Sequence, residues 1–384
     1  MRTLRWTERL PWLAAAVLLS SPVLAAPPSP IEATLFAFPG QVIAPATARS
    51  AGLAMGERWL GDDPYANPAA RARSELVVSP ALVRVSRQDL RAGNRNYDET
   101  PAFIDGAGLS LSAPWRDVGL WLYGHQSGLR LEDNAFESGR DVIPPAVITS
   151  QSELRELRLG VAASQPLGPL RAGLGAEWTY RSDLYQSREQ SGSPQSGERR
   201  VEFSGSGIGG QAGLSFDVGD STLGGFSVGA AARYLPALAL TGEQQIFLLI
   251  GDSVATVEVE RESGWEAGVT TAVWLSAAFR AFASVGGHTP QDWPEFGVTR
   301  GSGFEWKLAA EFHDARDPWT LRFGFGHEQQ SGVPEPRAGV FGLGAGWQLE
   351  GTTLDVGAVR RTFRRAGEPN AFDDRVIASL RIAF

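Results

Sequence analysis

The chain has no cysteine, two methionines and four histidines in 384 residues, and each scarcity removes a class of chemistry. Without cysteine there is no disulfide, no thiolate nucleophile, no thiolate-held metal and no lipidated cysteine anchor. His125, His288, His313 and His327 show no ligand spacing, so neither metal nor cofactor is expected. Long apolar runs are missing too: beyond the first thirty residues no window offers the roughly 18 apolar residues of a membrane helix. A basic surface is also lacking. The formal charge is −8 and the pI near 5.2, with no cationic stripe to displace phosphate counterions, which excludes nucleic acid as a partner.

What is present is glycine (45), tryptophan (12) and a near-neutral mean hydropathy of −0.14, because apolar and polar residues alternate instead of clustering. The last ten residues show the pattern at its clearest. Val376, Ala378, Leu380, Ile382 and Phe384 share one face, with Arg375, Ser379 and Arg381 on the other. A period of two is a strand. Similar runs fall near 76–86, 103–113, 118–127, 152–164, 169–180, 200–217, 222–235, 262–274, 278–287, 303–313, 319–329, 338–349, 353–364 and 374–384. That is about fourteen, an even number within the range of single-chain transmembrane barrels.

The connections sort in the same way. Those after even-numbered runs are short, as at Trp115 to Asp117 and Leu349 to Thr352, whereas those after odd-numbered runs are longer and polar, as at 128–151, 181–199 and 236–261. Short turns at one end and long loops at the other suit a barrel in a bacterial outer membrane. Facing agrees: Phe304, Trp306, Leu308 and Phe312 oppose Glu305, Lys307, Glu311 and His313. A lipid-facing Arg or Lys at the midplane would cost about 2–4 kcal/mol, so the charged faces are expected to line the lumen. Trp115, Trp178, Trp274, Trp306, Trp319 and Trp347 lie near run ends, where interfacial aromatic girdles sit.

Ahead of the barrel, residues 76–384, come two other segments. Residues 1–25 carry Arg2, Arg5 and Arg9, the apolar run Leu13 to Leu19 and a small-residue end at Ala25, the order of a cleaved secretory signal. Residues 26–75 are rich in Pro, Ala and Gly and do not alternate; a plug inside the barrel is their natural shelter.

Several constellations invite chemistry. The inward charges, Glu305, Lys307, Glu311, Arg322 and Arg381 among them, carry both signs. They read either as a compensating network in a narrow or plugged barrel or as a selectivity ring in an open pore. His125 and Ser127 share a strand face, as a base and its nucleophile would, and resemble the His-x-Ser pairing of outer-membrane phospholipase. No Asn or Asp sits at the matching place to orient the imidazole, so no catalytic residue is assigned and no enzyme is expected. Gly205, Gly207 and Gly210 match G-x-G-x-x-G, yet the run continues as alternating strand with no helix to hold a pyrophosphate; inward glycines making room for a plug are the better account. Two loops contain apolar runs, Val142 to Ile148 and Ile246 to Ile250. The second reads as a hairpin rising above the membrane or as a surface groove for hydrophobic molecules.

The run Ala48-Arg49-Ser50-Ala51-Gly52-Leu53-Ala54-Met55-Gly56, followed by Asp62-Asp63 and Asn67-Pro68-Ala69, is similar to the N-terminal hatch of the FadL/TodX-type outer-membrane transporters. The aromatic carboxy-terminal residue and the fourteen strands fit as well. The resemblance implies an all-β transmembrane barrel with an N-terminal hatch, inserted by the barrel-assembly machinery into outer-membrane lipid. It implies passive uptake of hydrophobic compounds such as long-chain fatty acids or aromatic hydrocarbons, which leave through the barrel wall. Carried onto this chain, Asn67, Pro68 and Ala69 belong to the hatch, and Val142, Ile143, Phe247, Leu248 and Leu249 to ligand capture. PorV-like relatives share the pattern and imply the alternative of a barrel that serves protein secretion without transport.

Overall fold

The computed structural model describes residues 46–60, 63–86, 103–138, 146–190, 196–218, 224–248, 251–293, 298–313, 318–330, 337–364 and 371–384. The strands are β1 (Glu75–Ser86), β2 (Phe103–Trp115), β3 (Val118–Ser138), β4 (Ala146–Leu167), β5 (Leu170–Gln190), β6 (Ser196–Val218), β7 (Phe226–Leu235), β8 (Leu238–Leu248) and β9 (Gly251–Arg261). They continue as β10 (Gly264–Ser276), β11 (Phe279–His288), β12 (Gln291–Trp293), β13 (Val298–Arg300), β14 (Gly303–His313), β15 (Trp319–Gln330), β16 (Arg337–Leu349), β17 (Thr352–Arg364) and β18 (Ala371–Ala383). Among the described residues one short helix, α1 (Ala48–Gly52), precedes them.

Fourteen strands form a closed antiparallel barrel, with β1 paired to β18 at the seam. The alternation read from the sequence decides the facing. On β18, Val376, Leu380 and Ile382 are exposed, while Arg375, Ile377 and Ser379 are buried inside. The outward residues form an apolar band with two aromatic rims. Toward the short-turn end lie Trp115 and the stacked pair Trp319 and Trp347, ring centroids 5.4 Å apart. Toward the other end lie Trp178 stacked on Tyr180 at 5.9 Å and Tyr234 against Trp265 at 5.2 Å.

The structure differs from the sequence reading on one side of the barrel. Strands β3 to β6 run for 21, 22, 21 and 23 residues, so most of 128–151 and 181–199 is strand where long polar loops were expected. Arg130, Glu132, Gln151 and Ser152 lie in polar sequence that reads as loop, yet their backbone ladder between β3 and β4 persists. The stretch 236–261 forms the hairpin β8–β9, which pairs along the upper part of β6. The hairpin buries Leu238 and Leu240 against Val201 and Phe203, with Val259 alongside.

That hairpin also corrects the reading of the glycine run. A β-carbon at Gly205 or Gly207 would strike the backbone of Ala239 or Ala237, so these glycines make room for the β7-to-β8 passage and not for a plug.

Candidate functional site: the filled lumen

Residues 46–60 and 63–74 lie inside the barrel. Thr47 caps α1 by accepting the Ser50 amide at 3.2 Å, and the Ala48 amide, free of any helical acceptor at this first turn, donates to Ser379 Oγ of β18 at 2.7 Å. The helix ends in a reversal in which Ala54 and Met55 adopt φ of 49° and 61°. Each left-handed alanine-like residue costs about 1 kcal/mol or more, a strain that only tight surroundings maintain. Those surroundings are glycine walls: a β-carbon at Gly357 of β17 would overlap the Ala48 carbonyl, and one at Gly213 of β6 would overlap Asn67 Oδ1.

Asn67, Pro68 and Ala69 sit at the far side of the lumen against β5 to β7. Asn67 is fully buried. Its Nδ2 donates to the carbonyls of Trp59 at 2.7 Å and Leu214 at 3.1 Å, and its Oδ1 accepts the Ala69 amide at 2.9 Å. One side chain thus ties two turns of the inner segment to the wall. Trp59 is buried beneath Arg58, whose guanidinium stacks 4.3 Å from the ring, and the Trp59 amide donates to Thr270 Oγ1.

Charges from the inner segment complete a belt of ion pairs on the wall. Arg322 bridges Glu311 and Asp355, both at 2.6 Å, and Arg49 of α1 joins Glu311 at 3.0 Å. Lys307 lies 2.8 Å from Glu305 and 3.2 Å from Glu328, and Arg58 reaches Glu266 at 2.9 Å and Glu305 at 3.3 Å. Around the other half, Arg158 pairs with Glu156, Arg181 with Asp183, and Arg233 lies 3.8 Å from Glu177. Of the five lumen charges named from the sequence, Glu305, Lys307, Glu311 and Arg322 stand on neighbouring strands; Arg381 lies apart, 3.8 Å from Glu75. Both signs interleave within each group of pairs, so each charge has an opposite neighbour.

Arg49 and Arg58 escaped the sequence reading because the plug has no periodicity to show which way a side chain points. Glu156, Arg158, Arg181 and Asp183 were missed as well, the last two because 181–199 reads as a loop; opposite charges two residues apart are the signal that could have found them. Of the capture residues, Val142, Ile143 and Leu249 lie outside the described residues, and Phe247 and Leu248 end β8, where the backbone alone is described.

A cavity of about 20 Å³, room for roughly one water, lies between the inner segment and the seam, lined by Arg49, Glu57, Asp63, Tyr65, Trp121 and Arg381 among others. Burial pushes the Asp63 carboxyl up to about 7. Above it, Tyr65 packs edge-on against Tyr123 and His125, and its hydroxyl donates to the Gly124 carbonyl at 3.0 Å. There the wall itself changes: β2 and β3 pair from Trp115↔Val118 up to Gly108↔His125 and no further, although both strands continue. His125 is buried beside Tyr65 and its Nε2 meets no hydrogen-bond partner, so no bond joins that nitrogen to Ser127 in the pairing raised by the sequence.

No protein-family model matches the chain, and no curated sequence is similar to it. Solved structures do match in shape. The toluene transporter TodX of Pseudomonas putida superposes with a TM-score of 0.65 at 13% identity, over 89% of this chain and 98% of that one. The toluene transporter TbuX of Ralstonia pickettii gives 0.61 at 13% over 87% and 99%, and a FadL homologue of Pseudomonas aeruginosa gives 0.61 at 15% over 87% and 97%. The chain therefore carries the FadL/TodX-type barrel fold.

Proposed function

We propose that this chain is an outer-membrane channel for the passive uptake of hydrophobic compounds, long-chain fatty acids or aromatic hydrocarbons, with residues 46–74 acting as its hatch. The observation that carries the reading is the filled lumen beside an interrupted wall. A straight aqueous path would have to cross a buried ion-pair belt braced by Arg49 and Arg58 of the inner segment. Sideways, the β2–β3 ladder ends at Gly108 and His125, about 23 Å along β3 from its start at ~3.3 Å per residue. That height is within the upper half of an apolar band about 25 Å tall once strand tilt is allowed for. A greasy molecule entering from the loop end has a way out into the membrane there once Tyr65 withdraws.

In this orientation the short turns and Phe384 face the periplasm, the barrel-assembly machinery reads the terminal strand, residues 1–25 are removed as a signal, and outer-membrane lipid surrounds the apolar band. The likeness to named toluene transporters supports a small hydrophobic ligand. Purified protein in vesicles should take up labelled oleate or toluene faster than empty vesicles. Uptake equal to that of empty vesicles for both compounds would reject the reading.

A further inference from the structure

The inner face of β3 carries Trp121, Tyr123 and His125 in succession, every second residue and all buried. A period of two sets these rings in one row on the lumen side. Tyr65 of the inner segment lies against the row, its ring centroid 5.1 Å from that of Tyr123 and 5.9 Å from that of His125, edge-on to both. Edge-to-face contact is a favoured way for one aromatic ring to hold another. Gly108 of β2 leaves room for the Tyr65 hydroxyl, since a β-carbon there would stand 3.1 Å from it. That hydroxyl donates to the Gly124 carbonyl at 3.0 Å.

The row itself is held by the wall. The Tyr123 hydroxyl accepts from Gln211 Nε2 at 2.6 Å and donates to Glu177 at 3.3 Å, which fixes its ring from the barrel side. Two polar atoms are left over: Trp121 Nε1 and His125 Nε2 are buried and meet no hydrogen-bond partner beside Tyr65. A buried polar atom without a partner is costly, and a hydrocarbon cannot relieve it. The small cavity continues this space past the Tyr65 ring, between Ser110, Trp121 and Asp63.

We propose that this face of β2 and β3 is a binding site for a hydroxylated aromatic ring, a neutral phenol, and that Tyr65, whose side chain is itself a phenol, fills it while the plug is docked. The inference rests on the channel reading and narrows its ligand class. A phenol in the place of Tyr65 keeps both features that hold Tyr65: ring contact with Tyr123 and His125, and a hydroxyl proton for the Gly124 carbonyl. Toluene keeps the first alone. An ionised carboxylate has no proton to give that carbonyl, and an alkyl chain has no ring edge for the row.

Binding to the purified full-length protein in detergent, with partition into empty micelles subtracted, tests the site without transport. The probes are p-cresol, toluene and 4-methylanisole, whose oxygen carries no proton. p-Cresol should bind about tenfold or more tighter than either of the others, the discrimination expected when a buried carbonyl is left unmet. Affinities for p-cresol and 4-methylanisole within about twofold of each other would overturn the proposal. Tyr65→Ala removes the internal competitor, so p-cresol should bind this variant about tenfold tighter than the native chain, and an unchanged affinity would also overturn the proposal. Tyr65→Phe keeps the ring that packs the plug and loses only the bond to Gly124. It decides the matter if the alanine variant disturbs the plug: p-cresol should bind it about threefold tighter, and no gain would overturn the hydroxyl match. Toluene uptake by vesicles without tighter binding of p-cresol keeps the channel reading and sinks the phenol site. Phenol binding that responds to Tyr65, in a protein that takes up neither oleate nor toluene, keeps the site and rejects the channel.

Discussion

Two sectors of the same wall are held in different ways. From β14 to β17 every ladder runs without a register shift, and the inner face carries the ion pairs of Lys307, Arg322 and Arg361. From β18 through β1 and β2 to β3 the ladder skips Ser79 and Pro80 before resuming in register up to Ser86, shifts between β1 and β2 at the same place and stops between β2 and β3 at His125, and Ser79, Ala81, Ser110 and Ser112 put small side chains on the inner face of β1 and β2. The plug touches the first sector through Arg49 on Glu311 and through the close approach of Leu53 to Gly324. In the second the plug adds hydrogen bonds where the ladder is thin, from the Ala48 amide to Ser379 and from the Tyr65 hydroxyl to the Gly124 carbonyl.

The sharpest way to break the comparison is to remove a charge from the first sector. Arg322→Ala leaves Glu311 and Asp355 buried with their shared partner gone, which should cost about 3–5 kcal/mol. Urea unfolding in detergent should show the loss, and Arg322→Met together with removal of both carboxylates should recover much of it. A loss below about 1 kcal/mol would mean that water already screens this belt.

A smaller effect is expected at Asn67. Asn67→Ala removes the donor to the Trp59 and Leu214 carbonyls and leaves buried acceptors unmet, a cost of about 1–3 kcal/mol. The loss should fall on plug docking and not on barrel stability. Protease cleavage within 46–74 should therefore rise while the urea midpoint of the barrel stays put; a lowered midpoint would show that Asn67 serves the β6–β7 wall instead.

The wall was largely legible from the sequence because lipid enforces alternation: Phe304 to Phe312 and Val376 to Phe384 could take one facing only. Where lipid ends, so does the legibility, and Arg130 to Asp133 look like loop although they are paired to β4. The β8–β9 hairpin announced itself through Ile246 to Ile250 but not its partner, since β6 pairing is a long-range choice. Of the site, the wall charges of β14 and β15 were visible, whereas Glu156, Arg158, Arg181 and Asp183 and the plug partners were not. Arg49 and Arg58 sit on turns whose direction depends on Ala54 and Met55 turning left-handed, which no pattern in an Ala- and Gly-rich run reveals.

Protonation should tune the second sector. Asp63 is held near 7 by burial against an ordinary value of 3.8, so the docked plug binds this proton more tightly than the released one. Docking is then strongest below about pH 4, weakens as pH rises toward about 7, and levels off above it. Around Asp63 stand Glu57 and Tyr65 of the plug, Glu75 of β1, and the cations Arg49 and Arg381. Spectroscopic labels on the plug should report greater release at pH 8 than at pH 5, and Asp63→Asn should flatten that difference. A slope of the opposite sign would assign the control to another group.

The smallest effect makes the finest test, because it compares adjacent residues of one strand. Arg361 of β17 points inward, buried, 3.3 Å from Asp373 and 3.5 Å from Glu328. Arg360 points outward, with 55% of its side chain exposed, and pairs with Asp374 at 2.6 Å. The outer pair is shorter, so distance alone would rank it first. Burial reverses the order: water around Arg360 competes with and screens its pair, leaving about 0.2–1 kcal/mol, whereas an unpartnered carboxylate inside the wall has no such relief and costs about 3–5 kcal/mol. Arg360→Ala should therefore barely move the urea midpoint, and Arg361→Ala should move it clearly. Equal losses would place the Arg361 level in open water, and with it the ion-pair belt that closes the lumen.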